Sequence, residues 1–446
     1  MTFTTPNFRR SKRNLFLLFW LFFTCSLPAQ TTVLLSLEEA IQLAEKHNLQ
    51  LKVDTALVEM LNSKIVQVDN LRKPQVGLNL NYTRISNNVT PFSVAFPTGE
   101  VTLNPQILNQ SYNSLQLKQL IWNGKKIAYG LEASKKELAA ASYDLQKNKI
   151  TNAYNVTALW YNLYVLKTSK KIIEANIKVL NGNKQDLVNF VNQGIAIDND
   201  ALKIDLAITN LESNLSNISN SISALNFNLC IYTGLPTNTT FELPELQEND
   251  VVVNANLDTY IAEALSNRLE LKSIKVSSEA AEVGLKLAKS NYLPTISAIA
   301  SANYNLPEQR VFPNQPKFKP TWFVGVNLNW SLSELYTNKA KVLESQKSIE
   351  KVQSSYNLAS EGIIIEVNMA YTEYLQAAQT IVNAKKEVEL ATENFRVEQN
   401  RLTASTTTPI NFLDANSKLL QAQLNLNSAN ANTQLAFKKL NKTLGK

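Results

Sequence analysis

The chain can be laid over itself. Residues 37–82 align with 257–302, and 117–234 with 328–445, without a gap inside either block. The shift is 220 residues in the first block and 211 in the second, so the nine-residue difference falls between 82 and 117. Ile41, Ala44, Leu49, Leu51, Lys52 and Glu59 meet identical residues at 261, 264, 269, 271, 272 and 279, while Pro74 meets Pro294 and Gly234 meets Gly445. One structural unit is written twice, which restricts the fold to architectures with an internal repeat.

Punctuation shows the grammar of each unit. Nine of the fourteen prolines lie in two windows, Pro74 to Pro105 and Pro294 to Pro320. Residues 106–235 and 321–408 contain none. Proline costs a helix interior about 3 kcal/mol, so these runs permit very long helices. Ile204, Ile208, Leu211, Leu215, Ile218, Ile222, Leu225 and Leu229 alternate steps of four and three, a heptad seam. The same frame in the second unit runs Ala415, Leu419, Ala422, Leu426, Ala429, Thr433, Ala436 and Leu440. Before each seam a longer helix is expected, at about 125–191 and 337–402. At about 1.5 Å per residue such a helix spans on the order of 100 Å. A globular core cannot use that reach.

In the proline windows the period becomes two. Val76, Leu78, Leu80 and Tyr82 alternate with Gly77, Asn79 and Asn81, and Trp322, Val324, Val326, Leu328 and Trp330 with Phe323, Gly325, Asn327 and Asn329. Leu115, Leu117 and Ile121 share one parity, and Ile296, Ala298, Ala300 and Ala302 another. Four strands of about nine to eleven residues with one apolar face match tilted transmembrane strands, and Trp322 and Trp330 suit an interfacial girdle. This reading makes Val76, Leu78, Leu80, Trp322, Val324, Val326, Leu328 and Trp330 lipid-facing. Soluble hairpins packed on a core would show a similar alternation. Four strands leave edges, which hydrocarbon does not tolerate, so a spanning sheet needs several protomers to close. Two copies give a bore filled by side chains, whereas three give twelve strands and room for water, which favours a trimer.

Arg9, Arg10, Lys12 and Arg13 precede the apolar stretch Leu15–Phe23 and a cleavage site after Ala29, so residues 1–29 are expected to be a secretory signal peptide. Cys25 lacks the small preceding residue expected at a lipidated cysteine. Without this leader 40 basic residues face 37 acidic ones, which gives no case for nucleic-acid binding. Cys230 would then be the only cysteine and most simply a packing residue. His47 is the single histidine, and no phosphate loop, dinucleotide fingerprint or paired-cysteine spacing occurs. No enzyme, metal or cofactor is expected. Residues 210–228 carry Asn and Ser off the seam, fitting an uncharged duct wall or a neutral outer surface equally.

Together, the leader, the repeat, and a strand pair then a long helical hairpin in each half resemble the TolC-like outer-membrane efflux protein family. The most specific stretches are the hairpin tips, Phe190–Asp200 and Arg401–Ala415. The resemblance implies a mainly α fold with a transmembrane β part: two coiled-coil hairpins and four strands per protomer, and a twelve-stranded barrel as a homotrimer. It divides the chain into a first repeat at 30–234 (strand pair about 75–122, hairpin 124–234), a linker at 235–256 wrapping the tunnel as a belt, and a second repeat at 257–446 (strand pair about 295–330, hairpin 334–445). The chain's end at Lys446 sets the expectation of no C-terminal belt extension.

By the same resemblance the function is the exit duct of a tripartite efflux or type I secretion system, set in the outer membrane with its helices in the periplasm. Its partners would be outer-membrane lipid, a periplasmic adaptor, and an inner-membrane pump of RND, ABC or MFS type. Docking of the adaptor would fall on Asn192, Gln193, Gly194 and Ile195, and on Ala404, Ser405 and Thr406. The entrance would be formed by Asp200, Asn199, Thr407, Asn411 and Asp414. Asp414 matches the second of two family carboxylates and would make an acidic ring that favours cations. Asn411 replaces the first, Thr407 stands at the gating arginine and Leu402 at the tyrosine, so the charged latch is largely missing. The competing class is a secreted periplasmic coiled-coil scaffold or adaptor that never enters a membrane.

Overall fold

A computed structural model describes residues 32–88, 90–193, 197–246, 256–312, 314–404 and 406–446. The leader with Cys25, and the tip residues Gly194, Ile195 and Ser405, lie outside the described residues. In chain order the elements are β1 (Thr32–Leu34), α1 (Leu37–His47), α2 (Leu49–Asn70), β2 (Gln75–Arg84), β3 (Phe92–Phe96), β4 (Gly99–Asn104), β5 (Asn109–Trp122), α3 (Lys126–Asn192) and α4 (Asp198–Thr233). There follow β6 (Thr240–Glu242), α5 (Leu257–Asn267), α6 (Leu269–Lys289), β7 (Thr295–Leu306), β8 (Lys319–Asn329), a single turn α7 (Glu334–Thr337), α8 (Lys339–Thr403) and α9 (Pro409–Thr443). Helix, helix, strand, strand and long hairpin thus occur twice. Among the described residues no helix is long and apolar enough to cross a membrane.

The chain divides into two compact units. The first takes in residues up to Asn48, Thr151–Asn254 and Tyr371–Leu440. A capping box starts α1: Ser36 accepts from the Glu39 amide while the Glu39 carboxylate accepts from the Ser36 amide. Ala40 and Ala44 on its inner face meet Val156, Trp160, Leu163, Leu229, Cys230 and Phe241 in a dry core. Burial of each large side chain there contributes about 1.5–3 kcal/mol. The Trp160 indole donates to the Leu35 carbonyl at 3.0 Å, which ties α3 to the residue after β1. Strands β1 and β6 pair in parallel, Val33 opposite Phe241, so part of the expected linker is a strand. Helix α4 ends at Gly234 with φ 72°, and a Cβ there would lie 2.4 Å from the His47 ring. Only glycine fits both demands.

The second unit comprises Leu49–Ile150, Ala255–Ala370 and Asn441–Lys446. Its helical core repeats the first in part by sequence position: Ala264 and Val367, the counterparts of Ala44 and Val156, are buried with Leu271, Ile363 and Leu444. Gly445, at φ 80°, closes on the backbone of Asn267 as Gly234 closes on His47. The Arg268 guanidinium, nearly buried, reaches Glu270, Glu366 at 2.8 Å and the Thr443 carbonyl.

The same unit carries a four-stranded antiparallel sheet in the order β2-β5-β7-β8. Register joins the two halves of the repeat through the central pair β5–β7, with Leu117 opposite Ala300. Three features depart from the sequence reading. A second hairpin, β3–β4, occupies the first proline window, with Val94 opposite Val101. Trp330 lies one residue beyond β8, its indole donating to the Tyr292 carbonyl at 3.0 Å. The register of β5 against β7 shifts between Leu120 and Trp122, so Ile121 no longer continues the parity of Leu115 and Leu117. An extra residue in one strand turns the side chains that follow to the other face.

Candidate functional site: an apolar sheet face and the helical tips

The sheet register sorts side chains into two faces. One row across all four strands is Val76, Leu117, Ala300 and Val324; the next is Leu78, Leu115, Ala302 and Trp322. Val326 opposes Ala298 and Leu328 opposes Ile296 on the same face. All the residues read as lipid-facing are exposed, from 47% for Trp330 to 76% for Trp322. The other face carries Asn79, Ser114, Asn303 and Thr321 in one row. Among the described residues, the outer edges of β2 and β8 pair with no strand. An exposed apolar face of this extent is the kind of surface that a protein or membrane partner covers.

The tips form in the first unit. Leu180 and Leu187 of α3, Ile204 and Ile208 of α4, Leu402 of α8 and Phe412 of α9 make one buried cluster, with Phe395 and Phe412 rings 5.7 Å apart. The two hairpins are joined above it by a reciprocal amide pair: Asn176 and Asn416 each donate to the other, at 2.9 and 3.1 Å, both buried. Leu402 belongs to this core and cannot act as a polar latch.

The residues read as an entrance are only partly brought together. Asn411 donates to the Thr407 hydroxyl at 3.3 Å, and Thr407 donates to the Glu398 carboxylate at 2.8 Å. The other oxygen of Glu398 takes Arg401 at 2.6 Å, and Arg401 also reaches the Thr406 carbonyl. Asp414 is exposed and pairs with Lys418 at 2.7 Å; Asp200 pairs with Lys203 at 3.0 Å. Among the described residues, no hydrogen bond or ion pair links Asp200 or Asn199 to Thr407, Asn411 or Asp414. Asn192, Gln193, Asn199, Ala404 and Thr406 are exposed. Glu398 and Arg401 were missed as organisers of the second tip. Their signal was present, since Glu and Arg three apart share a helix face and a cation in the last turn suits the macrodipole.

Residues 260–446 match the family model described as outer membrane efflux protein. No curated protein matches the chain. The fold is similar to that of CusC, whose crystal structures concern transmembrane channel formation, at a TM-score of 0.76 and 14% identity over 92% of each chain. It is also similar to the outer membrane protein VceC from Vibrio cholerae, at 0.73 and 16% over 92% of this chain and 96% of that one. The Campylobacter jejuni CmeC outer membrane channel gives 0.73 and 14%, over 100% and 94%. Residues 260–446 thus resemble the outer membrane efflux protein family, and the chain as a whole has the fold of the outer-membrane channels CusC, VceC and CmeC.

Proposed function

We propose that three copies of this chain close their four-stranded sheets into one twelve-stranded barrel in the outer membrane. Below it, the long hairpins form a periplasmic tube, and the assembly is the passive exit duct of a tripartite efflux or type I secretion system. The observation that carries this reading is the open sheet with one apolar, exposed face. Unpaired strand edges cannot stand in hydrocarbon, and closure by neighbouring copies satisfies them. Exposed Leu358, Ile365, Met369, Val382 and Leu390 on α8 support packing of helices from adjacent copies. A water-soluble scaffold would leave both surfaces facing water.

In this reading Val76, Leu78, Leu80, Trp322, Val324, Val326, Leu328 and Trp330 meet lipid. The repeats span 30–234 and 257–446, and the linker between them wraps the tube. The tips at 192–195 and 404–406 dock a periplasmic adaptor bound to an inner-membrane pump, and Asp200, Asn199, Thr407, Asn411 and Asp414 surround the entrance. The duct moves cargo and carries out no reaction.

Fractionation tests the proposal. The chain should resist carbonate extraction and migrate as a trimer in detergent until heated. Release by osmotic shock as a monomer would refute it.

A further inference from the structure

The apolar face of the sheet ends at the helices, and there the charge balance changes sharply. The stretches 69–76, 116–128, 289–297 and 327–342 contain eight basic residues, Arg72, Lys73, Lys118, Lys125, Lys126, Lys289, Lys339 and Lys341, against the two acids Asp69 and Glu334, and Arg72 pairs with Asp69 at 3.6 Å. Three of the lysines, Lys73, Lys118 and Lys126, line one groove of about 470 Å³. Its walls join the polar Gln75, Thr295 and Ser297 to the apolar Val68, Leu71 and Leu287, and hold no carboxylate. Gln75 opposes Lys118 in the β2–β5 register, and Ser297 opposes Leu120. Both rows belong to the face opposite Val76 and Val324, so the groove opens on the polar side of the sheet. Among the described residues none of the three ammonium groups has an ion-pair partner. The first turn of α3 holds no acid, so the positive end of that helix adds to the lysines rather than offsetting them.

By contrast, the carboxylates expected to charge the tips are compensated by Lys203 and Lys418. We propose that Lys73, Lys118 and Lys126 form an anion-selective collar at the strand–helix junction, which attracts multivalent carboxylate or phosphate groups in transit. The proposal rests on the duct reading, in which the polar face lines the lumen. Three copies would place nine ammonium groups around one passage. Rings of Lys or Arg favour anions, and walls of low dielectric strengthen the field they produce.

The test uses the purified full-length trimer in planar bilayers of phosphatidylcholine alone, so that no anionic lipid competes. Reversal potentials in a dilute KCl gradient report the chloride-to-potassium permeability ratio, and citrate serves as the multivalent probe. The wild type should prefer chloride. Replacing all three lysines by glutamine should lower the ratio at least about twofold, and the difference should fade near 1 M salt, where the screening length is about 3 Å. Citrate should inhibit the wild-type current at a concentration several-fold below that needed for the variant. Lys118→Gln alone, at an exposed side chain, should shift both readouts in the same direction if the triple variant fails to assemble. Conducting wild-type and variant channels with equal ratios and equal citrate sensitivity would overturn the collar and leave the duct standing. A wild-type trimer that never conducts would remove the duct and the collar together.

Discussion

Val324→Arg separates a membrane-spanning sheet from a water-facing one. Val324 lies at the middle of β8, opposite Ala300, in the row that runs to Leu117 and Val76. Its side chain is 72% exposed in the single chain. On a surface bathed by water, such a substitution changes stability by about 0.5 kcal/mol or less. On the lipid face of a barrel near the bilayer midplane, arginine costs about 2–4 kcal/mol. A trimer carries three of them, so the total is about 6–12 kcal/mol, and about 6 kcal/mol already corresponds to roughly four orders of magnitude in an assembly constant. The assay is the yield of heat-modifiable trimer in outer-membrane fractions. Asn327→Arg, three residues away on the polar face, is the matched control. Loss of trimer for the first variant and normal yield for the second is the expected pattern. Wild-type yield from Val324→Arg would refute the lipid-facing assignment and the barrel with it.

Asn176→Ala and Asn416→Ala should each destabilise the helical part by about 1–3 kcal/mol, because each leaves a buried amide without its partner. Changing both to leucine should recover most of that loss; a thermal melt followed by circular dichroism in which the double variant is worse than either single one counts against the account. Gly234→Ala should cost about 1–2 kcal/mol for the left-handed backbone alone, and more because its Cβ meets the His47 ring; an unchanged melting temperature would contradict a left-handed turn at this position. Burial raises the Cys230 thiol above its ordinary pKa, the hydrogen bond to Thr239 opposing only in part. A group raised in the folded state keeps its proton as pH climbs, so labelling by iodoacetamide at pH 8 should be slow in the folded protein and fast after denaturation. Equal rates would show that the site is open.

The parts of the fold legible in the sequence are those written by long-range periodicity. Proline-free runs and heptad steps mark helices near 125–191 and 337–402, and the helices observed are Lys126–Asn192 and Lys339–Thr403. The second helix starts late because Asn338 interrupts it, its amide donating to the Ala288 carbonyl at 2.8 Å. That contact is tertiary and leaves no local trace. The hairpin β3–β4 escaped because its window is rich in proline and its strands are only five and six residues long. The three-residue pair β1–β6 is shorter than any window in which alternation can be seen. The bulge at Ile121 cannot be read either, since parity in one strand says nothing about a residue squeezed out against its neighbour.

At the tips, residue matching predicts that the family's charged latch is largely missing, and the structure shows where the charges lie instead. Matching by family position looks for charges that reach between hairpins, and at those positions this chain has Asn411, Thr407 and Leu402. The structure puts the charges within each hairpin instead: Glu398 with Arg401, Lys184 with Asp205, and Asp414 with Lys418. Between the hairpins run uncharged links: the Asn176–Asn416 amide pair, the Asn427 amide's bonds to Val165 and Ser169, and the cluster around Leu402 and Phe412. A latch built from surface ion pairs weakens as salt shortens the screening length, whereas a dry apolar cluster with a buried amide pair does not. In the proposed duct, closure at this end should therefore hold nearly unchanged from dilute to concentrated salt. Release would instead require the Phe412 side chain to leave its pocket, a packing change that an adaptor pressing on the tips can drive.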